Sequence, residues 1–96
     1  MIDAFLEMEI NSKEMADEIL HFINSFEIRK GEFECNCYVI EKLDLNTFII
    51  YCDLTEPNGI RTISDVFSID RKELQQFILS KLNKLGYEVN KDYLIL

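Results

Sequence analysis

From Ile2 to Ile10 the even positions, Ile2, Ala4, Leu6, Met8 and Ile10, are apolar and alternate with Asp3, Glu7 and Glu9. That period of two predicts a half-buried strand, with Phe5 as an aromatic exception on the acidic side. Asn11 and Ser12 then offer N-cap oxygens, and Glu14 follows Asn11 at the spacing of a capping box. On a helical wheel Met15, Ala16, Ile19, Leu20, Phe22, Ile23 and Phe26 gather on one side, with Glu14, Asp17, Glu18 and His21 opposite, which predicts a helix over residues 12–26.

Beyond Gly31, Phe33, Cys35, Cys37 and Val39 alternate with Glu34, Asn36, Tyr38 and Ile40. A second run, Phe48, Ile50 and Cys52, alternates with Ile49, Tyr51 and Asp53, so the two predict a hairpin turning at Leu43-Asp44-Leu45-Asn46. A two-residue loop would pair Cys35 with Cys52, and a four-residue loop Cys37 with Cys52. In either register the thiols share one face, and Tyr38, Ile40, Ile49 and Tyr51 share the other.

Pro57-Asn58-Gly59 has the residue types of a tight turn, and a third hairpin strand is expected from Ile60 to Phe67. Its apolar positions change parity, Ile60 and Val66 against Ile63 and Phe67, which predicts a bulge or burial on both sides. Asp70 and Glu73 then open a second helix carrying Leu74, Phe77, Ile78, Leu82 and Leu85, with Gly86 as its stop. Tyr87-Glu88-Val89 and Tyr93-Leu94-Ile95-Leu96 suggest a closing strand.

The expected fold is α+β: a single, largely antiparallel sheet of about five strands, in the order β-α-β-β-β-α-β, with two helices on one face. This is a sandwich related to the ferredoxin-like type, and the absence of repeats or linkers in the sequence makes residues 1–96 one domain.

Composition agrees with a folded chain. Of 96 residues 48% are apolar and 29% charged, with 7 Phe and 4 Tyr available for a core. No apolar run reaches the roughly 18 residues that span a bilayer, the first residues lack a basic leader, and 3 cysteines are an odd number. These features predict a cytoplasmic protein with reduced thiols and no membrane segment. The net charge of −8 disfavours direct nucleic-acid binding, which depends on Lys and Arg neutralising phosphates. The charge is uneven: residues 1–56 hold 13 acids against 4 bases, and residues 57–96 hold 5 against 6.

The candidate chemistry is sparse. Cys35, Cys37 and Cys52 could supply thiolates to a metal, but His21, the only histidine, lies on the polar side of its helix, so the cysteines are read as small apolar residues. Neither Glu34 nor Asn36 would activate a thiol, and the glycines form no phosphate loop. The sequence therefore predicts no catalytic residue, no metal and no cofactor.

Two surfaces are candidates for binding a partner. Tyr38, Ile40, Ile49 and Tyr51 would form an aromatic and apolar patch if the helices cover the other sheet face, and Glu14, Asp17 and Glu18 would present negative charge. The leading expectation is a non-enzymatic acidic protein that occupies the surface of another, basic protein. Inhibitors or adaptors of nucleic-acid-handling proteins are a subclass, since carboxylates can imitate a phosphate backbone. A homodimer through the sheet face is also compatible. The alternative is a small dimeric ligand-binding regulatory domain.

Overall fold

Residues Ile2–Glu9 form a helix, α1, rather than the expected strand. Ile2, Phe5, Leu6 and Glu9 follow helical spacing, and the structure buries Phe5, Leu6 and Glu9 while Ala4 and Met8 stay exposed. Phe5, the exception to alternation, is completely buried. The computed structural model describes residues 1–94.

The second helix, α2 (Lys13–Asn24), is capped by Ser12, whose Oγ accepts from the Met15 N–H at 3.2 Å. Asn11 instead donates its amide to Met8 O at 2.9 Å, at the end of α1. Ala16, Ile19, Leu20, Phe22 and Ile23 enter the core, whereas Phe26 lies past the helix end and is exposed. The last helix, α3 (Arg71–Leu85), has the expected ends. Asp70 accepts from the Glu73 N–H at 2.8 Å, and Gly86 takes the left-handed conformation at φ 79°. Its buried stripe is Leu74, Ile78 and Leu82, with Phe77 and Leu85 largely outside.

Between the helices run four strands, β1 (Gly31–Glu34), β2 (Tyr38–Lys42), β3 (Thr47–Thr55) and β4 (Arg61–Asp70). They pair antiparallel in the order β1-β2-β3-β4. This meander lacks the parallel crossovers of a ferredoxin-like sandwich, and the sheet has four strands among the described residues rather than five. The proposed closing strand is absent over 87–94, where a short 3-10 turn, Lys91–Tyr93, packs against α2 instead. Ile95 and Leu96 lie outside the described residues.

The hairpin register also differs from both expected ones. Tyr38 faces Cys52 and Lys42 faces Phe48, leaving an odd number of residues, 43–47, between the last registered pair. The Leu43 N–H donates to Thr47 O at 3.0 Å, and the Asp44 carboxylate accepts from the Asn46 N–H at 2.8 Å, which sets this turn. The run from Phe33 to Ile40 is likewise two strands, folded back at Cys35-Asn36-Cys37 so that Phe33 faces Ile40. In β4 the parity change is a bulge: the register shifts between Ile50 and Cys52, and Asp65 sits at φ 51°.

Two of the buried charges, Glu9 and Lys42, tie the helices to β2 and the turn before it. The Glu9 carboxylate, 1% exposed, accepts from the N–H groups of Asn36 (3.0 Å), Cys37 (3.0 Å) and Tyr38 (2.8 Å) in the β1–β2 turn. Lys42, 2% exposed, donates to Phe22 O (3.1 Å), Ile23 O (3.5 Å) and Ser25 O (2.9 Å) at the C-terminal end of α2. That end carries partial negative charge, so a cation suits it. The Lys42 Nζ also stands 5.7 Å and 5.9 Å from the ring centroids of Phe22 and Phe48. Burial, and secondarily Arg71, lowers the Lys42 pKa.

Tyr38 links three elements. Its ring meets Phe5 edge-on at 5.6 Å, and its hydroxyl donates to the bulge carboxylate of Asp65 at 2.8 Å. Burial, then that hydrogen bond and nearby charge, push the Tyr38 phenol up to about 12. The folded state thus holds this proton more tightly than the unfolded chain, so the associated stability is present below pH 10 and lost as pH rises to about 12. Urea denaturation across this range should show that loss in the wild type and a smaller one in Tyr38→Phe. Lys42→Met, which leaves the α2 carbonyls without their donor, should cost about 1–3 kcal/mol at neutral pH in the same assay.

Candidate functional site

The register sorts every strand residue to a face. Phe33, Ile40, Ile50 and Phe67 form one row across the sheet, Lys42, Phe48 and Ile69 a second, and Tyr38, Cys52 and Ser64 a third. The apolar members of the first two rows, with Tyr38 and Cys52, belong to or pack on the core cluster that contains the buried helix residues. The helices therefore cover this inner face.

The outer face carries the complementary rows. Glu32, Glu41, Ile49 and Ser68 form one, and Glu34, Val39 and Tyr51 form another, while Asp53 faces Ile63 and Thr55 faces Arg61. Val66, two positions before Ser68, shares this side. Ile49, Tyr51, Ile63 and Val66 are all outside the core cluster, and Val39, which shares their side, is itself buried at 7% exposure. Ile63 is 44% and Val66 57% exposed, a high value for apolar residues in the middle of a strand.

This surface is split by charge. Glu32, Glu34 and Glu41 stand on β1 and β2, and the apolar residues run across β2, β3 and β4. At the far end Arg61 forms a two-pronged pair with Asp53, at 2.9 Å from Nε and 2.7 Å from Nη2. Arg61 thereby holds the Asp53 carboxyl below its usual range. Burial first, then the Glu32 and Glu41 carboxylates, push the Tyr51 phenol up. A shallow depression of about 240 Å³ at the β1–β2 turn end includes Glu34, Val39 and Asp53.

The expected patch of Tyr38, Ile40, Ile49 and Tyr51 is thus divided. Tyr38 (5% exposed) and Ile40 (0%) face the core, whereas Ile49 and Tyr51 are half-buried on the outer side. The odd turn length is the physical reason, since it moves one strand of the hairpin by one residue relative to the other. The partners that replace them, Val39 and Glu41, were assigned to the opposite face or left unassigned by the sequence. Ile63 and Val66 were signalled only by the parity change in β4.

Glu14 and Glu18 are exposed on the solvent side of α2, in the helix layer and so on the far side of the molecule from the outer sheet face. Asp17 is half-buried and paired with Lys13 at 3.1 Å, and its Oδ1 is buried with no hydrogen-bond partner among the described residues. The two expected binding surfaces therefore cannot meet one flat partner together.

The thiols are part of the inner side. Cys35, Cys37 and Cys52 are free, half-buried and packed on the core cluster. Burial, and then the Glu9 carboxylate, pushes the Cys35 thiol up, the opposite of what a nucleophile or a metal ligand needs. Among the described residues no group of His, Cys, Asp and Glu is arranged to hold a metal ion, and no helix is long and apolar enough to cross a membrane.

Comparison with protein-family models, curated proteins and solved structures found no match to this chain.

The face assignment is directly testable by truncation. Ile50→Ala removes a core side chain and should cost about 2–5 kcal/mol in urea denaturation, whereas Ile49→Ala, one residue away, should cost less than about 1 kcal/mol.

Proposed function

We propose that this chain is a non-enzymatic acidic interaction protein that works in the cytoplasm by occupying the surface of a partner protein. The observation that carries this reading is the outer sheet face, where Ile49 and Tyr51 are half-buried, Ile63 and Val66 are exposed, and all four lie outside the core cluster. Apolar and aromatic side chains gathered on one surface lose contact with water only when a partner covers them, so such patches mark interfaces. The acidic border suits a basic partner. It also favours the narrower reading of an inhibitor or adaptor of a nucleic-acid-handling protein, whose cleft is built to receive negative charge.

The helix surface with Glu14 and Glu18 supports this reading less well, because it offers charge without apolar area. Affinity capture from a host lysate separates the two surfaces. Ile49→Lys with Val66→Lys should abolish retention of the partner, and Glu14→Lys with Glu18→Lys should leave it. The reverse pattern, or retention unaffected by either pair, would overturn the assignment of the sheet face.

A further inference from the structure

We infer that the outer sheet face receives a cationic amphipathic segment of the partner, with Lys or Arg side chains against Glu32, Glu34 and Glu41 and apolar side chains over Ile49, Tyr51 and Val66. This rests on the reading of that face as the docking surface and adds the chemistry of what docks there.

The carboxylates on β1 and β2 crowd one another. Glu32 and Glu41 are registered directly opposite one another on β1 and β2. Like charges at such positions destabilise a strand pair. Among the described residues neither they nor Glu34 forms an ion pair. Arg61, whose charge also acts on Glu32, is held in a two-pronged pair by Asp53, and Lys42 is turned to the inner face and bonded to carbonyls at the end of α2. A partner cation placed between the two carboxylates removes the repulsion, and the apolar band beside them fixes the rest of the segment.

Four strands at about 4.8 Å spacing, with outer positions from 49 to 53 along β3, define a band only about 15 Å in each direction. A stable protein pair buries about 800 Å² on each partner, which this band does not supply. It does match a single extended or helical segment. A second copy of this chain would also bring the same carboxylates, and a net charge of −8, against this face. Anionic phosphates and membranes are repelled for the same reason.

The test is a titration of isotope-labelled protein with three short synthetic probes, alternating Lys-Ile, Lys-Ser and Glu-Ile, followed by amide shifts and fluorescence anisotropy. The Lys-Ile probe should bind at least about tenfold more tightly than either control and weaken with salt. Its shifts should map to Val39, Glu41, Ile49 and Tyr51. In Glu32→Gln with Glu41→Gln binding should fall about tenfold, while stability to urea stays level or rises because the repulsion is gone.

Equal binding of Lys-Ser, or shifts centred on Glu14 and Glu18, would overturn the inference. So would failure of Lys-Ile to bind while lysate capture still depends on Ile49 and Val66. That combination would leave the sheet face as the docking surface and remove only its cationic occupant. A dimeric mass of the free protein that Ile49→Lys reduces to monomer would assign the face to a second copy instead.

Discussion

The Glu9 carboxylate is the joint between the helix layer and the sheet. The turn at Cys35-Asn36-Cys37 points the N–H groups of Asn36, Cys37 and Tyr38 inward, and a single carboxylate accepts from all three. Buried donors left unpaired would cost about 1–3 kcal/mol each, and an unpaired buried carboxylate would cost more, so neither side of this contact is stable alone. An eight-residue helix such as α1 would not persist by itself in water. Its position is set by this anchor together with Phe5 and Leu6 in the core.

From that joint the order propagates along the inner face. Tyr38 follows the turn, stacks its edge on Phe5 and passes its hydroxyl to Asp65, so α1, β2 and the β4 bulge are connected through consecutive contacts. At the other end of β2, Lys42 holds the last carbonyls of α2. Both ends of this short strand are thus pinned to a helix by a buried charge of opposite sign, and each charge is satisfied by backbone groups rather than by the other. With β2 fixed in this way, its odd and even positions are committed, and Val39 and Glu41 are turned outward along with Ile49 and Tyr51.

The parts that could be read from the sequence were those whose signals are local. The Ser12 cap of α2, the Asp70 cap and Gly86 stop of α3 and the Pro57-Asn58-Gly59 turn each announce themselves within a few residues and formed as expected, the parity change in β4 took the bulged of its two readings, and the Asn11–Glu14 box did not form. Two of the misread parts, α1 and the hairpin register, involve charges in the core. Glu9 looked like the polar side of an alternating strand because a buried carboxylate breaks the helical pattern of apolar residues that would have revealed α1. Lys42 sits in no local pattern that marks it as buried, and nothing in its neighbourhood shows that the turn after it is odd. One residue of turn length then decided whether Tyr38 and Ile40 or Val39 and Glu41 join the candidate surface, and that length is settled by hydrogen bonds of Leu43 and Asp44 that side-chain parity does not encode.

Glu9 fixes the β1–β2 turn and so commits the outer face. Native-state hydrogen exchange at the amides of Asn36, Cys37 and Tyr38 tests it most directly. Exchange in the wild type should be as slow as that of core amides in β2, and exchange at these three amides in Glu9→Gln should be much faster, ahead of any global unfolding. Exchange in the wild type at the rate of an open surface turn would contradict this role of Glu9.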